Sequence, residues 1–269
     1  MRDEREIGGA WRRHQRHERR EPPEHLAPWV DHLWAVTWDY AAPYAQKVPP
    51  SASVHLTARD GAAPRWHGVT TRYVTRELVG RGRVVGAAVR PGMARDVLGD
   101  PVVRLTDDER PADGPAGIDD VDTLAAWLGA RLPDAPSAGS LEAAAAVALV
   151  RDDPGLLRVE DLAARTGSHP RRLQRLFAEH VGVGPKWVIR RFRLGEVTAR
   201  MTSGRPIAWA GLAADLGYAD QAHLVRDVTA LLGESPTTYA ARYPRAEILG
   251  AASRVGHSVP RTPVTPGDG

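Results

Sequence analysis

The sequence predicts an α+β protein: a β-rich barrel or sandwich domain in the N-terminal half, then an all-α domain in which a long helix joins two helix-turn-helix motifs. Three observations predict it. Short apolar or β-branched runs separated by Pro and Gly fill residues 22–110. Two similar helical patterns recur about fifty residues apart between Val159 and Tyr243. Charge divides along the same line: residues 151–245 carry 15 Lys and Arg against 10 Asp and Glu, and residues 21–150 carry 12 against 17, within a chain whose formal net charge is only +3.

Residues 1–20, MRDEREIGGAWRRHQRHERR, have little to bury and are expected to be a disordered charged tail. Residues 21–110 form the β-rich domain. In LWAVTWDY, Trp34, Val36, Trp38 and Tyr40 share one strand face and Leu33, Ala35 and Thr37 the other; in SVHLTAR, Val54, Leu56 and Ala58 alternate with Ser53, His55 and Thr57. TRYVTRELVG and RVVGAAVR continue the texture, with turn signals at Pro49-Pro50, Asp60-Gly61 and Pro91-Gly92. Several such strands make an antiparallel barrel or sandwich. Barrel mouths accept small molecules in mostly apolar, aromatic pockets with a few polar anchors, which makes Trp34, Trp38, Tyr44, His55, Trp66 and Tyr73 candidate ligand contacts. For any single one of these aromatics, plain core packing is the preferred reading.

Residues 111–152 are a helical linker or dimerisation region. Val121 to Leu132 places Leu124, Trp127 and Leu128 at helical spacing, and LEAAAAVALV from Leu141 to Val150 strongly favours helix. Asp152-Asp153-Pro154-Gly155 reads as a hinge.

The DNA-reading features lie in residues 153–245. In the first unit Leu162 and Ala163 face inward, Gly167 ends the short helix, and Pro170 suits the first turn of the next. Leu173, Leu176 and Phe177 then face the core, and Arg171, Gln174, Arg175 and Ala178 form an outward basic and amide stripe. Arg and Gln are the side chains that meet guanine and adenine edges bidentately in the major groove; taken alone, the same residues would simply solvate a surface helix. The second unit repeats the design. Ala210, Leu212, Ala213 and Leu216 support it, Gly217 ends its first helix and Asp220 caps the next. Leu224, Val228 and Leu231 point inward, and Gln221, Ala222, His223, Val225 and Arg226 outward. Its thinner polar content predicts a smaller share of base reading and more phosphate positioning. Pro185 to Met201 reads as one helix of about seventeen residues, near 25 Å at 1.5 Å per residue. A spacer of that order sets two recognition helices about one duplex turn apart. Residues 246–269, rich in Pro, Gly and Ser, are expected to be disordered.

Several classes are excluded. There is no cysteine, hence no disulfide, no Cys-ligated zinc and no thiolate nucleophile or alkyl acceptor. His32, His55 and His67 are isolated, no His-x-His occurs, and His14-x-x-His17 lacks a third ligand, so no metal, no other cofactor and no catalytic residue is expected. No run approaches the length of a membrane span and the first twenty residues are charged, which predicts a cytoplasmic protein with no membrane partner.

The segments LQRLF, GVGPKWVIRRFRL, IAWAGLAADLGYADQAHLVR and GESPTTY resemble the DNA-binding domain of the AraC/XylS family of bacterial transcription regulators. The resemblance covers about a third of the chain. It implies base contacts at Arg171, Gln174 and Arg175 in the first unit and at Gln221, Ala222, His223 and Arg226 in the second. His169, Arg172, Arg190 and Arg191 are candidate phosphate contacts. His169 stands where the family has a serine N-cap, and Leu224 and Val228 replace phenylalanines. The order of the two halves, more loosely, resembles regulators whose N-terminal sensor is cupin-like. The resemblance implies double-stranded DNA as partner across two adjacent major grooves, a small-molecule effector, a homodimer, and RNA polymerase should the protein activate. A ligand-independent regulator whose N-terminal domain serves dimerisation or partner binding is the alternative.

Overall fold

The computed structural model describes residues 14–203 and 205–241. Six antiparallel strands form one sheet: β1 (Gln15–Arg20), β2 (Val30–Val48), β3 (His55–Arg59), β4 (Arg65–His67), β5 (Val74–Val89) and β6 (Glu109–Pro111), in the order β1-β2-β5-β3-β4-β6. The helices are α1 (Ala94–Leu98), α2 (Val121–Gly129), α3 (Ala138–Asp152), α4 (Val159–Arg165), α5 (Pro170–His180), α6 (Pro185–Thr202), α7 (Trp209–Asp215), α8 (Gln221–Leu232) and α9 (Pro236–Ala240), with a 3-10 turn at Val102–Leu105.

The expected charged tail ends earlier than residue 20. Residues 15–20 pair with β2 from Gln15↔Trp38 to Arg20↔Leu33, because a charged strand suits a sheet edge, where one face and one row of backbone groups meet water. The rest of the tail, residues 1–13, and the tail expected at 246–269 lie outside the described residues.

Period-two alternation sorts the sheet into two faces. Leu33 and Ala35 register with Ala87 and Val85, and these with Leu56 and Ala58, so that one face is wholly apolar and buried. Leu124, Ala125 and Leu128 of α2 share its core, and Arg20 reaches α2 through a two-pronged pair with Asp122 at 3.0 Å. The other face carries Trp34, Val36, Trp38, Val84, His55 and His67. Beyond a bulge between Tyr40 and Tyr44 it continues through Tyr44 and Leu78. β5 bends across this face far enough to bring Arg76 within 3.6 Å of Glu109 on β6, two strands beyond its own neighbour. The domain is thus a single curled sheet, and the sandwich alternative is set aside.

The expected linker region does not behave as one piece. Its first helix, α2, belongs to the sheet. The second, α3, packs on α4, α5 and α6, and Ser140 on α3 bonds His180 on α5 at 3.1 Å. Asp153, at the expected hinge, is fastened twice, accepting from Gly155 N at 2.8 Å and pairing with Arg165.

One core runs from the sheet through Val102, Leu105, Val147 and Leu162 to Leu173, Phe177, Val188 and Ile189. The first helix-turn-helix unit therefore shares its core with the β-domain. A second core holds Leu194, Val197, Met201, Leu212, Tyr218, Leu224, Val228 and Leu231. Helix α6 is common to both: Val188 and Ile189 in its first half lie in one, Leu194 to Met201 in the other.

Candidate nucleic-acid interface

In the first unit α4 ends at Thr166, and Gly167 turns the chain at φ 60°, a conformation that costs glycine nothing. His169 caps α5, its Nδ1 accepting from Arg171 N at 3.2 Å, so the imidazole takes the role a serine would. Leu173 and Phe177 are buried and Leu176 half-buried, which turns Arg171, Gln174 and Arg175 outward, all exposed. The amide of Gln174 lies beside Gly184, where a Cβ would stand 3.3 Å from its Nε2. Arg172, on the flank, pairs with Glu142 of α3, which draws it toward the protein.

The second unit follows the same plan. Gly217 turns the chain at φ 68°, Asp220 caps α8 by accepting from His223 N at 2.6 Å, and Leu224 and Val228 fill the core. Gln221, Ala222 and Arg226 are exposed. His223 is half-buried, its ring edge-on to Tyr218 at 5.2 Å. Tyr218 is buried beneath it, and desolvation pushes its phenol up to about 12.

Two residues expected to contact phosphate are engaged within the protein. Arg190 makes a two-pronged pair with Asp227 of α8, at 3.0 and 2.7 Å, where the Asp227 side chain is only 13% exposed. Arg191 donates to Pro50 O in the β-domain, and burial works against its charged form. Both face inward because α6 is packed on two sides, which a sequence pattern of alternating Arg does not reveal. Arg193 does likewise, reaching Leu157 O at 2.6 Å with its guanidinium 5.6 Å from the Tyr218 ring centre. Sequence reasoning passed over Arg200 and Arg205. Both are exposed and line a groove of about 530 Å³ between the end of α6 and α7, together with Ser203, Gly211 and Asp215. Their position beside a helix-turn-helix unit was the available signal.

Of the candidate ligand contacts, Trp34, Trp38, Tyr44 and His55 share the curled face of the sheet. The rings of Trp34 and Trp38 lie against Gly86 and Gly82, where a Cβ would sit 2.3 and 2.1 Å from ring carbons. His55 meets Trp34 edge-on at 6.1 Å and bonds Ser51 Oγ through Nε2. Trp34 Nε1 and His55 Nδ1 are buried without a partner. Desolvation lowers the imidazole to about 4, so it is neutral. Nearby, His67 bonds Thr57 and Glu109, and Gln15 links Tyr40 and Gln46 at 2.8 Å. Trp66 and Tyr73 are elsewhere. Trp66 registers with Leu56 and so lies in the apolar core, and Tyr73 sits against Gly233 beyond α8. Alternation along one strand locates Trp34, but cannot place residues of strands whose pairing is unknown. Among the described residues no group of three His, Cys, Asp or Glu stands where it would hold a metal ion, and no helix is long and apolar enough to cross a membrane.

Two helix-turn-helix units on one connecting helix, each turning exposed Arg and Gln outward, define a tandem helix-turn-helix DNA-binding protein. Residues 162–242 match the model of a helix-turn-helix domain, and residues 18–111 match a domain of unknown function (DUF6597). The C-terminal region is thus a helix-turn-helix DNA-binding domain. No curated protein matches the sequence. Among solved structures the chain is similar to ToxT from Vibrio cholerae O395, at 10% identity and a TM-score of 0.41, over 86% of this chain and 98% of that one. It is also similar to the unsaturated fatty acid-bound ToxT of Vibrio cholerae strain SCE256, at 12% identity and 0.40, over 77% and 93%.

Proposed function

We propose that the protein reads a bipartite DNA site, with Arg171, Gln174 and Arg175 on α5 in one major groove and Gln221, Ala222, His223 and Arg226 on α8 in the next. One observation carries this reading: both helices bury their leucines, α5 turns Arg171, Gln174 and Arg175 to solvent and α8 turns Gln221, Ala222 and Arg226, with His223 half-buried, on two units joined by α6. At 18 residues that connecting helix is about 27 Å long, of the same order as the roughly 34 Å of one duplex turn. His169, Arg172, Arg200 and Arg205 serve the phosphates at the margins, with Arg172 leaving Glu142 to do so. Such a regulator acts where the DNA is, in the cytoplasm, and as a binding protein rather than an enzyme.

The curled face of the sheet is proposed as the effector site, with Trp34, Trp38, Tyr44 and His55 as contacts. Two buried ring nitrogens without a hydrogen-bond partner, Trp34 Nε1 and His55 Nδ1, support it, since such groups are ordinarily satisfied. An effector shifts DNA binding only by favouring one of two states of the chain.

Selection of bound duplexes from a random library with the full-length protein tests the reading. Two short blocks centred about one helical turn apart are expected. Uniform, salt-sensitive binding with no enriched sequence would overturn it.

A further inference from the structure

The second helix-turn-helix unit has its own core, yet it does not hang from α6 alone. The β-domain grips it at the far end of α8. Tyr73 N donates to Leu231 O at 3.1 Å, satisfying one of the last carbonyls of α8, which have no partner within the helix. The Tyr73 ring lies against Gly233, the residue that ends α8 at φ 73°. A Cβ there would stand 2.0 Å from the ring, so only glycine admits this approach. Lys47 Nζ pairs with Glu234 at 3.0 Å, with the two side chains 26% and 10% exposed, and the same ammonium lies 4.9 Å from the centre of the Tyr73 ring. Lys47 and Tyr73 belong to one rigid place. Lys47 pairs with Thr75 at the end of the β2–β5 ladder, and Tyr73 immediately precedes β5. The adjoining loops also hold α6, through Trp187 Nε1 to Thr71 O at 3.4 Å and Arg191 to Pro50 O.

We propose that Lys47 and Tyr73, residues of the β-domain remote from any base, are positioning residues for DNA reading by α8. They fix the angle at which the helix presents Gln221 and Arg226, and hence the spacing of half-sites that the protein accepts. This rests on the reading of α8 as a recognition helix. The lever is favourable. The joint is at the C-terminal end of α8; Gln221 at its N-terminal end is about 18 Å away, and Arg226 in its middle about 10 Å. A tilt of about 10° at the joint moves the reading end by about 3 Å, close to the 3.4 Å rise of one base pair. A loosened joint therefore blurs register by one step while leaving α5, seated in the other core, in place.

The test uses full-length protein and the selected bipartite duplex, with the distance between its blocks varied by one and two base pairs either way. The wild type is expected to prefer one spacing at least tenfold. Lys47→Glu should weaken binding at that spacing about tenfold and flatten the profile, with the footprint over the α5 block unchanged. Tyr73→Ala should do the same more weakly. The charge swap Lys47→Glu with Glu234→Lys should restore the sharp profile, which a variant that had merely failed to fold would not. An unchanged profile in Lys47→Glu and Tyr73→Ala beside a discriminating wild type overturns the proposal. So does loss of the α5 footprint along with the rest, which would make the contact a general prop. A wild type that protects one block and ignores spacing removes the reading of α8 itself.

Discussion

At the scale of single residues the exposed stripe of α5 carries the sharpest expectations. Arg175→Ala should relax specificity at one base pair, at a cost of about 1–3 kcal/mol for a lost bidentate contact. Competition binding against duplexes substituted at each position checks it, and equal weakening on all sequences would make Arg175 a phosphate contact. His55 gives a second expectation, on stability. Its imidazole is held at about 4 in the folded chain by burial first and by His32 and His67 next, against 6.5 when unfolded. Below pH 6.5 the unfolded state takes up a proton that the folded state refuses. The stability tied to this group is therefore complete above pH 6.5 and lost as pH falls toward 4, by at most about 3 kcal/mol. Burial lowers His67 and His180 in the same direction. Thermal melts between pH 7.5 and 4.5 should fall steeply in the wild type and less steeply in His55→Gln.

Among the elements α8 is the most instructive, since nearly everything that positions it is distant in sequence. Its N-cap was legible, because Asp220 stands just ahead of an apolar-periodic run, and so were its inward leucine and valine. Its neighbours were not. Arg190 stands in a cluster of three cations on α6 that suggests phosphate contact, yet it pairs with Asp227 of α8 and the two charges offset each other. Thirty-seven residues separate the two in sequence, and no local pattern joins them. Arg190→Ala, which strips Asp227 of its cation in a mostly buried place, should destabilise the second unit by about 1–3 kcal/mol. Asp220→Ala should cost about 1 kcal/mol. Amide exchange should show both losses in α7 and α8, with α4 and α5 unaffected. The curled sheet face was half legible in the same way. Alternation put Trp34 and Trp38 together, whereas the site of Trp66 depended on pairing with Leu56, which no local pattern encodes.

Across the whole molecule the sequence suggested a boundary at residue 153, from the run of turn residues there and the shift in charge. The fold divides at another point. Sheet, α2, α3, α4 and α5 surround one core, and the second unit surrounds the other. Charge and turn residues report what meets solvent, and cores are decided by what does not. Hydrogen exchange should accordingly reveal two cooperative groups, one joining β2 and β5 with α5, the other holding α7 and α8. A fragment starting at Asp153 exposes the apolar side of Leu162, Leu173 and Phe177 that α3 and the 3-10 turn cover. It should aggregate or bind the dye ANS, whereas the full chain should do neither. A fragment that stays monomeric with full helix content would contradict the shared core.

That shared core limits how such a regulator can be rebuilt from parts. Swapping sensors between regulators by splicing at the charged turn near residue 153 would join a foreign sheet to an α5 shaped for this one. Gly182, whose carbonyl accepts from Thr106 Oγ1 at 2.6 Å and which lies against Val102, would have lost both counterparts. A graft that keeps the larger core whole crosses within α6, after Ile189 and before Leu194, carries the first reading head along with its β-domain, and must still match Lys47 and Tyr73 to the end of α8. In a chimera of that kind half of the proposed bipartite site would travel with the β-domain.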